Sequence, residues 1–417
     1  MSNSAQIPIR IVVAGGNYAG LNAVKYLYAS LLATPPNEPV NTATRNIHIT
    51  MIDRRDGFIH YIGITRGLTE PDYGAQLWTP YSDASWLKHP SITFHQAAVT
   101  EITANNVATI TASGESSIIP FDYIIIALGE GRFAPIGMSS LTKSDFITRL
   151  DSTYQKIAAA DSVAVIGGGA VGVELAADLK CDFPTKQVSL VHSRALPLQT
   201  IFKDEFRQGI VDTLCNSIGV DVVLGERVIQ QTPASDDMLA APNAEPDFID
   251  ATSDNVKLTL ASGRTMCADY VIRCIGTRSK HLTPLINLPL GSFLDADGIR
   301  VKDTYQVDCA EYTHIYACGD ITNISEVKLA GGAMYGGYIA ARNISRCVLR
   351  GEGAELEEGE RFPSKIMVLM GRNHFALQVG DEIWDTERTR QYITDDMGLK
   401  SCVDGVGFNG TPEYMGL

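Results

Sequence analysis

A short apolar strand, a glycine-rich turn and a helix follow one another twice in this sequence, and this repeat constrains the fold more than any other feature. The first copy is IRIVVAGGNYAGLNAVKYL at 9–27, and the second is SVAVIGGGAVGVELAADL at 162–179. Strands that alternate with helices favour a parallel sheet that is covered on both faces. The repeat therefore predicts an α/β protein that uses one nucleotide-binding unit twice.

A second pair of landmarks follows the two copies at a similar distance. TASGESSIIPFDYIIIALG at 111–129 and LASGRTMCADYVIRCIG at 260–276 each read as a strand, a Ser-Gly turn, another strand and a final glycine. Asp122 and Asp269 take the same place in the two stretches. We therefore expect two Rossmann-like dinucleotide-binding domains and a small C-terminal α+β unit. The expected boundaries are 1–135 with 295–347 for a discontinuous first dinucleotide-binding domain, 136–294 for the second, and 348–417 for the C-terminal domain.

The two glycine turns have the spacing of phosphate-binding fingerprints. In GxGxxG the first glycine makes the bend, the second lets a pyrophosphate approach, and the third lets helix and strand pack closely. The N–H groups and dipole of the following helix favour an anion. These positions are Gly15, Asn17 and Gly20 in the first turn and Gly167, Gly169 and Gly172 in the second. Asn tolerates unusual backbone angles less well than Gly, so the first turn predicts a slightly altered approach of the phosphate.

The residues that end the next strand distinguish two cofactors. The strand IHITMID ends at Asp53, where a carboxylate binds ribose hydroxyls, and an insertion at 33–46 explains its distance from the first turn. The strand VSLV is followed by His192, Ser193 and Arg194. A carboxylate there would repel a 2′-phosphate, whereas Ser193 and Arg194 can bind one. We expect NADPH, or both nucleotides, at the second site; the alternative is that Asp53 and Arg194 only face solvent.

Composition and charge limit the partners of the chain. The formal net charge is −14, from 48 acidic and 34 basic residues, and nucleic-acid affinity comes largely from phosphate neutralisation by Lys and Arg. We therefore expect no nucleic-acid partner. The eight cysteines contain no CxxC pair, and the eight histidines have no ligand spacing such as HxxxH. These patterns predict reduced thiols and no metal site.

Targeting and membrane signals are also weak in the sequence. Only MSNSAQIPIR precedes the first apolar run, and Ser2 is not the glycine that myristoylation requires. The longest nearly apolar stretch, 163–177, contains four glycines and Glu174, which excludes a transmembrane span. We expect a cytoplasmic protein, monomeric or homodimeric, for which peripheral membrane contact stays open.

Several motifs together resemble a known group of proteins. GGNYAG, GGGAVGVELAADL, IIIALG and YACGD are similar to the two-dinucleotide-binding-domain flavoproteins, which have a glutathione-reductase-like FAD/NAD(P) fold. VSLVHS, EVKLAGG and LMGRN most resemble the apoptosis-inducing-factor-like ferroptosis suppressor proteins, relatives of the type II NADH dehydrogenases. The likeness spans residues 9–375. It implies FAD in the first unit, NADPH or NADH in the second, and a quinone-type acceptor.

The resemblance also implies roles for particular residues. Glu174 is implied near the nicotinamide and Lys328 near the flavin as catalytic residues; the alternatives are a carboxylate on a helix face and a solvated lysine. Asp320, in YACGD, is expected beside the ribityl chain or pyrophosphate, or else as a helix cap. The expected cofactor contacts are Gly15, Gly16, Asn17, Tyr18, Ala19, Gly20, Asp53, Arg54, Arg66, Val99, Ala127, Gly129, Asp320 and Lys328 for FAD, and Gly167, Gly169, Gly172, Ser193, Arg194 and Gly276 for the nicotinamide nucleotide.

The expected reaction is hydride transfer from NAD(P)H to FAD and then reduction of the acceptor, which depends on placement more than on acid–base groups. A disulfide reductase needs a cysteine pair in the FAD domain, and no cysteine precedes Cys181. A flavin monooxygenase is possible, although an FxGxxxHxxxW-like stretch is missing from the sequence. An NAD(P)H oxidase, with O₂ as acceptor, and a flavin oxidoreductase of secondary metabolism stay open. The non-enzymatic alternative is an apoptosis-factor-like binding or signalling flavoprotein.

Overall fold

A computed structural model of the chain gives the bounds of its strands and helices. The residues that it describes are 8–33, 46–131, 134–233, 256–275, 281–285, 288, 293–295, 297–324, 327–351 and 353–413. The strands, in chain order, are β1 (Ile9–Ala14), β2 (Ile47–Asp53), β3 (Gly57–Ile59), β4 (Trp78–Pro80), β5 (Ile92–Gln96), β6 (Ala98–Ile102), β7 (Asn106–Ile110), β8 (Ser116–Pro120), β9 (Tyr123–Ile126), β10 (Ser162–Ile166), β11 (Gln187–His192), β12 (Asp221–Leu224), β13 (Val228–Pro233), β14 (Val256–Leu260), β15 (Thr265–Ala268), β16 (Tyr270–Arg273), β17 (Leu294–Asp295), β18 (Gly298–Ile299), β19 (Ile315–Ala317), β20 (Lys365–Met370), β21 (His374–Val379) and β22 (Glu382–Trp384). The α-helices are α1 (Tyr18–Leu31), α2 (Ile64–Gly67), α3 (Pro71–Gly74), α4 (Lys143–Ala159), α5 (Ala170–Asp182), α6 (Asp204–Asp212), α7 (Ala330–Arg350), α8 (Thr386–Thr389) and α9 (Leu399–Gly405).

The first unit is a five-stranded sheet in the order β19-β9-β1-β2-β5. Every neighbouring pair in it is parallel. The central strand β1 is buried from Ile11 to Ala14, as expected for a parallel strand that is covered on both faces. Because β19 comes from residues 315–317, two separated stretches of the chain build this sheet.

The second unit is a four-stranded parallel sheet in the order β12-β11-β10-β16. Here β10 lies between β11 and β16 in the same way that β1 lies between β2 and β9. Each unit also carries a three-stranded antiparallel sheet, β6-β7-β8 in the first and β13-β14-β15 in the second. The prediction of an α/β fold with two Rossmann-like units is confirmed. The domain boundaries given above stay a prediction.

The repeated aspartates hold equivalent strand ends together. Asp122 accepts a hydrogen bond from the backbone N–H of Arg10 at 2.8 Å, and Asp269 accepts one from the N–H of Ser162 at 2.8 Å. Each carboxylate precedes one strand, β9 or β16, and fixes it against the start of the central strand of its unit. The repeated Asp-Tyr landmark is therefore a structural feature of the fold.

The C-terminal residues contact both units. Strands β20, β21 and β22 form an antiparallel sheet, and β20 packs against α5 of the second unit. The chain then returns to the first unit, where the ammonium of Lys25 donates to the carbonyl oxygen of Gly405 at 2.7 Å. The indole N–H of Trp86 donates to the carbonyl oxygen of Gly407 at 2.8 Å. Within the described ranges, none of the helices has the length and apolar character needed to cross a membrane.

Candidate cofactor-binding site

The turn between β1 and α1 depends on two glycines that allow close backbone contacts. Gly15 has a φ of +105°, and a Cβ there would lie 2.3 Å from the carbonyl oxygen of Ala127. A Cβ at Gly20 would lie 1.7 Å from the carbonyl oxygen of Gly15. Helix α1 can therefore begin with only Gly15, Gly16 and Asn17 between it and the end of β1. Its first N–H groups lack partners within the helix, and a helix start of this kind favours an anion.

The turn between β10 and α5 repeats this geometry. Gly167 has a φ of +113°, and its Cβ would lie 2.6 Å from the carbonyl oxygen of Cys274. A Cβ at Gly172 would lie 1.8 Å from the carbonyl oxygen of Gly167. At Gly169 no atom lies within 4 Å of the position of a Cβ. The space in front of this turn is open to a ligand, which fits the role of the middle glycine in a phosphate fingerprint.

Asn17 stands at the N-cap of α1 with a φ of −88°. This is an ordinary extended conformation, so the replacement of glycine causes no backbone strain. The side chain does not cap the helix; its Oδ1 accepts a hydrogen bond from the backbone N–H of Ile59 at 3.3 Å. The next residue, Tyr18, is buried with its hydroxyl 3.1 Å from Nδ1 of His60. The altered approach of a phosphate to this turn stays a prediction.

The Gly-Asp pair at the end of β19 lies beside the first turn. Gly319 has a φ of +78°, and a Cβ there would lie 3.2 Å from the Cβ of Ala19. Asp320 follows in a short 3₁₀ turn and is partly exposed. The structure thus brings Asp320, the 15–20 turn and Ala127 together at the carboxyl edge of the first sheet.

Asp53 ends β2 directly under the first turn. Its carboxylate accepts the N–H of Gly16 at 2.7 Å and forms an ion pair with the guanidinium of Arg55 at 3.0 Å. Burial alone would raise the pKa of Asp53, but Arg55 and the backbone N–H donors bring that pKa below its ordinary value. Arg54 is exposed, so the neighbouring Arg55, which the sequence analysis did not select, makes this contact.

His192 ends β11 at the equivalent place in the second unit. Its Nδ1 accepts the N–H of Gly168 at 3.0 Å, and a Cβ at Gly168 would lie 2.7 Å from Cγ of the ring. Ser193 and Arg194 are exposed beside it. The sequence analysis selected Ser193 and Arg194 for the nucleotide and missed His192, although its position at the strand end was the available signal.

Three further residues were expected to contact a cofactor: Val99, Gly129 and Gly276. Val99 lies in β6, which begins after Ala97, and the N–H of Ala97 donates to the carbonyl oxygen of Asp53 at 3.0 Å. Gly129 follows β9 with a φ of +70° and has no atom within 4 Å of the position of a Cβ. Gly276 lies outside the described residues.

Lys328 lies next to the Gly-Asp pair. Its ammonium donates to the carbonyl oxygen of Thr322 at 3.0 Å. Lys328, Thr322 and Asp320 line one cavity between the end of β19 and the start of α7. Two of the residues expected to contact FAD, Asp320 and Lys328, therefore line the same cavity.

A family model described as pyridine nucleotide-disulphide oxidoreductase matches residues 9–337, which include both glycine turns and the Gly-Asp pair. The chain belongs to the pyridine nucleotide-disulphide oxidoreductase family. This membership confirms the expected relationship to the two-dinucleotide-binding-domain flavoproteins. It also confirms the prediction of an oxidoreductase that uses FAD with NADPH or NADH.

Relatives in this family cover almost the whole chain. Oxidoreductase OXR1 of Ajellomyces capsulatus is 32% identical over 426 residues, which cover 96% of this chain and 88% of the relative. Ferroptosis suppressor protein 1 of Xenopus laevis is 26% identical over 89% of this chain and 88% of the relative. The similarity to the ferroptosis suppressor group expected from the motifs is confirmed.

Solved structures share the fold of this pyridine nucleotide-disulphide oxidoreductase. NDH2 from Plasmodium falciparum in complex with NADH has a TM-score of 0.64 and 12% identity, over 97% of this chain and 99% of that chain. The water-forming NADH oxidase from Lactobacillus brevis has a TM-score of 0.65 and 16% identity, over 92% of this chain and 77% of that chain. At these identities the likeness shows the fold alone.

The cysteines of this family member form no disulfide. All eight lie among the described residues, and none is bonded to another cysteine. Cys318, beside the Gly-Asp pair, is buried, and burial raises the pKa of its thiol to about 12. A thiol with such a pKa stays protonated near neutral pH and is a poor nucleophile.

Arg66 lies on α2 and is almost completely buried, with an exposed fraction of 1%. Its guanidinium donates to the carbonyl oxygen of Gly371 at 3.1 Å and to that of Asp395. The carboxylate of Asp178 on α5 lies 3.8 Å away. Arg66 thus joins the first unit to the second unit and to the C-terminal residues, and a contact with FAD stays a proposal.

Glu174 lies on the same helix as Asp178, one turn earlier, and is buried. Its carboxylate accepts the backbone N–H of Leu369 in β20 at 3.1 Å. Burial raises the pKa of Glu174 to about 8 and that of Asp178 to about 7. Glu174 therefore lies at the interface with the C-terminal sheet. Sequence reasoning missed Asp178, although its i,i+4 spacing from Glu174 placed both carboxylates on one helix face.

Proposed function

We propose that the protein is an FAD-dependent NAD(P)H oxidoreductase that reduces a quinone-type acceptor. The overall reaction moves a hydride from NADPH or NADH and one proton from solvent to a quinone, which leaves as the hydroquinone. FAD supplies the two-electron redox centre for this chemistry. The observation that carries the proposal is the presence of two glycine turns, Gly15–Gly20 and Gly167–Gly172, with matching close contacts in one chain.

The residues of the first unit fit FAD. The 15–20 turn offers helix N–H groups to the pyrophosphate, and Asp53 offers a carboxylate to the ribose. A carboxylate has about four lone-pair positions, and the N–H groups of Gly16 and Arg55 already occupy both oxygens. A ribose hydroxyl that binds Asp53 therefore displaces an N–H of Arg55. The other FAD contacts that we propose are Arg54, Arg66, Val99, Ala127, Gly129, Asp320 and Lys328.

The residues of the second unit fit a nicotinamide nucleotide. Open space at Gly169 lets a pyrophosphate approach the start of α5. Ser193 and Arg194 follow the strand end without a carboxylate, which supports NADPH or both nucleotides. Glu174 and Gly276 are the further residues that we propose for this side.

The acceptor half of the proposal is supported by the motifs shared with the ferroptosis suppressor proteins and their type II NADH dehydrogenase relatives. A disulfide substrate has less support, because no cysteine precedes Cys181 in the chain. We also propose a cytoplasmic location and a monomeric or homodimeric state. These two statements are tested by cell fractionation and by the mass of the purified protein in solution.

The central experiment is anaerobic reduction of the purified protein. Addition of NADPH is expected to bleach the visible flavin absorbance, and a quinone is expected to restore it faster than O₂ or a small disulfide. In the Gly169→Ala variant the nucleotide meets a new methyl group, so bleaching needs a higher NADPH concentration. Gly209→Ala on α6 is the matched control, because Gly209 also has open space at its Cβ position. A colourless protein, or flavin that neither nucleotide reduces, contradicts the proposal, and faster reoxidation by O₂ replaces the quinone with oxygen as acceptor.

A further inference from the structure

The peptide group between Gly16 and Asn17 lies at the centre of the first glycine turn. Its carbonyl oxygen, on Gly16, accepts a hydrogen bond from the hydroxyl of Tyr81 at 2.8 Å. This peptide is trans, and the C=O and N–H of a planar trans peptide point in opposite directions. The hydroxyl that holds the carbonyl oxygen of Gly16 therefore also sets the direction of the N–H of Asn17.

The N–H of Asn17 is available to a ligand. Among the hydrogen bonds of the described residues, none has this N–H as its donor. Asn17 takes the place of the middle glycine of the fingerprint, which a pyrophosphate approaches, and it is the N-cap of α1. A pyrophosphate at this turn would meet the N–H of Asn17 together with the first N–H groups of the helix.

The second glycine turn holds the equivalent carbonyl oxygen with a different donor. The backbone N–H of Leu198 donates to the carbonyl oxygen of Gly168 at 2.7 Å. The next N–H belongs to Gly169, where no atom lies within 4 Å of the position of a Cβ. Leu198 is fully buried and has a φ of +61°, a strained conformation for a bulky residue. Both units therefore fix this peptide, but only in the first unit does a side chain supply the donor.

The ring of Tyr81 is held firmly by its surroundings. Tyr81 directly follows β4 and has an exposed fraction of 2%. Its backbone N–H donates to the carbonyl oxygen of Asp56 at 3.0 Å. The ring meets that of Phe94 in β5 edge to face, with the two ring centroids 4.9 Å apart. A side chain whose rotamer is locked by packing in this way keeps its hydroxyl in one place.

The contact with Tyr81 also accounts for the glycine at position 16 and for the direction of the hydrogen bond. A Cβ at Gly16 would lie 2.5 Å from the hydroxyl oxygen of Tyr81. Burial and the nearby carboxylate of Asp53 raise the pKa of Tyr81 well above its ordinary value, although the guanidinium of Arg55 opposes this shift. The hydroxyl therefore keeps its proton near neutral pH and donates it to the carbonyl oxygen, which only accepts.

We propose that Tyr81 is a positioning residue, whose hydroxyl holds the peptide between Gly16 and Asn17 so that the N–H of Asn17 faces the pyrophosphate of FAD. This inference rests on the proposed function, because it assumes that the first turn binds that pyrophosphate. Without the hydroxyl the peptide can rotate, and FAD then binds only those molecules in which the N–H faces the phosphate. If this conformation falls to about one molecule in ten, the Kd for FAD rises about tenfold.

The test measures the affinity of the purified protein for FAD. Serial dilution of the FAD-loaded protein releases flavin, whose fluorescence gives the Kd. Tyr81→Phe keeps the ring and removes the hydroxyl, so we expect its Kd for FAD to rise about tenfold. Binding of adenosine 2′,5′-bisphosphate to the second unit should stay unchanged in this variant.

Tyr73→Phe is the matched control. Tyr73 is also buried, and its hydroxyl also donates to a backbone carbonyl oxygen, that of Asp396 at 2.9 Å. This hydrogen bond holds the C-terminal residues rather than the glycine turn. Tyr73→Phe should therefore lower the melting temperature about as much as Tyr81→Phe does, but leave the Kd for FAD unchanged.

Phosphorus NMR of the bound FAD separates positioning from general destabilisation. The pyrophosphate resonances should shift in Tyr81→Phe and stay in place in Tyr73→Phe. An unchanged Kd in Tyr81→Phe, or an equal rise in both variants, overturns the inference, while bleaching of the wild-type protein by NADPH still supports the proposed function. A wild-type protein that holds no flavin contradicts the proposed function itself. If Tyr81→Phe does not fold, wild-type protein with isotope-labelled asparagine decides: coupling between the amide of Asn17 and an FAD phosphorus supports the inference, and its absence overturns it.

Discussion

Arg66 and Asp178 lie 3.8 Å apart with exposed fractions of 1% and 2%, and they join two units that are built from the same repeat. Arg66 belongs to α2 of the first unit and Asp178 to α5 of the second. Taking two charges out of water is costly unless their partners are well placed. Here the carbonyl oxygens of Gly371 and Asp395 provide the additional acceptors for the guanidinium. The ion pair and these C-terminal acceptors thus contribute to the contact between the two units, beside the hydrogen bond from the hydroxyl of Thr69 to Asp182 at 2.6 Å.

Removal of the Arg66 side-chain charge should therefore destabilise the protein strongly. Arg66→Met leaves Asp178 buried without its cation, and breaking a buried pair in this way costs about 3–5 kcal/mol. The loss should be larger at pH 8 than at pH 5, because burial raises the pKa of Asp178 to about 7 and the acid form carries no charge. Urea denaturation at both pH values measures the free energies of unfolding.

The double variant Arg66→Met/Asp178→Asn controls for the size of the side chains. It removes both charges, so it should recover part of the stability that Arg66→Met loses. Together with the single variants Arg66→Met and Asp178→Asn it completes a double-mutant cycle, which gives the coupling energy of the pair. Additive effects of the two single substitutions would show that the pair does not couple the units.

Glu174 should make the stability of the protein depend on pH in the opposite direction from an ordinary ion-paired carboxylate. Burial raises its folded-state pKa from 4.5 to about 8. A raised carboxyl pKa stabilises the fold below the unfolded-state value, and this contribution is lost as pH rises through about 8. Each pKa unit corresponds to about 1.4 kcal/mol. Glu174→Gln keeps an oxygen for the N–H of Leu369, so it should match the wild-type protein near pH 4 and exceed its stability at pH 9.

Thermal melts between pH 4 and pH 9 check this expectation. Glu115→Gln is a suitable control, because Glu115 is exposed in the turn between β7 and β8 and should leave the profile unchanged. A Glu174→Gln profile that runs parallel to the wild-type profile would mean that Glu174 stays charged in the folded protein.

The features that sequence could predict are those fixed by local backbone geometry. The turn at Gly15 requires a positive φ and a close approach to Ala127. The turn at Gly167 has the same requirement, so the glycine pattern occurs twice in the sequence. Asp53 could be chosen because it ends the strand that follows the first turn and helix, where a carboxylate is typical of dinucleotide-binding units, although the insertion at 33–46 lengthens the spacing. These constraints act within a short stretch or repeat in register, so they leave a pattern in the sequence.

The contacts that sequence could not predict depend on how distant segments approach one another. Lys25 and Gly405 are 380 positions apart, and no pattern around either residue indicates that they are in contact. The exposure of Arg54 and the ion pair of Arg55 with Asp53 depend on which of two adjacent arginines faces inward. The position of His192 after a strand could be read from the sequence. Only its hydrogen bond with the N–H of Gly168 shows that it stands where the first unit has a carboxylate.

The third glycine of each turn should be a folding determinant, whereas the second glycine of the second turn should be a ligand determinant. A Cβ at Gly172 would lie 1.8 Å from the carbonyl oxygen of Gly167, so Gly172→Ala forces α5 away from β10. We expect little soluble protein, or a large fall in melting temperature. Gly169→Ala should melt within a few degrees of the wild-type protein. Equal melting temperatures for the two variants would contradict the assignment.

Tyr18 should couple the first glycine turn to the C-terminal residues through His60. His60 is fully buried, and burial lowers its pKa to about 4, so the ring is neutral near pH 7. Its Nε2 lies 3.1 Å from the carbonyl oxygen of Met397 and must donate to it, which leaves Nδ1 to accept the hydroxyl of Tyr18 at 3.1 Å. Tyr18→Phe leaves this buried acceptor without a donor, which costs about 1–3 kcal/mol.

The same substitution should loosen the C-terminal residues, because the ring of His60 then has one fixed bond rather than two. Limited proteolysis is expected to cut Tyr18→Phe near Met397 faster than the wild-type protein. Tyr28→Phe on the same helix is the matched control, since its ring packs against Trp86 and loses only a hydroxyl; its stability should stay within about 0.5 kcal/mol. A lowered folded-state pKa means that the stability contributed by neutral His60 is lost as pH falls from about 6.5 to about 4. If Tyr18→Phe and Tyr28→Phe are cut at equal rates at pH 7, the hydrogen-bond chain from the turn to Met397 does not hold the C-terminal residues in place.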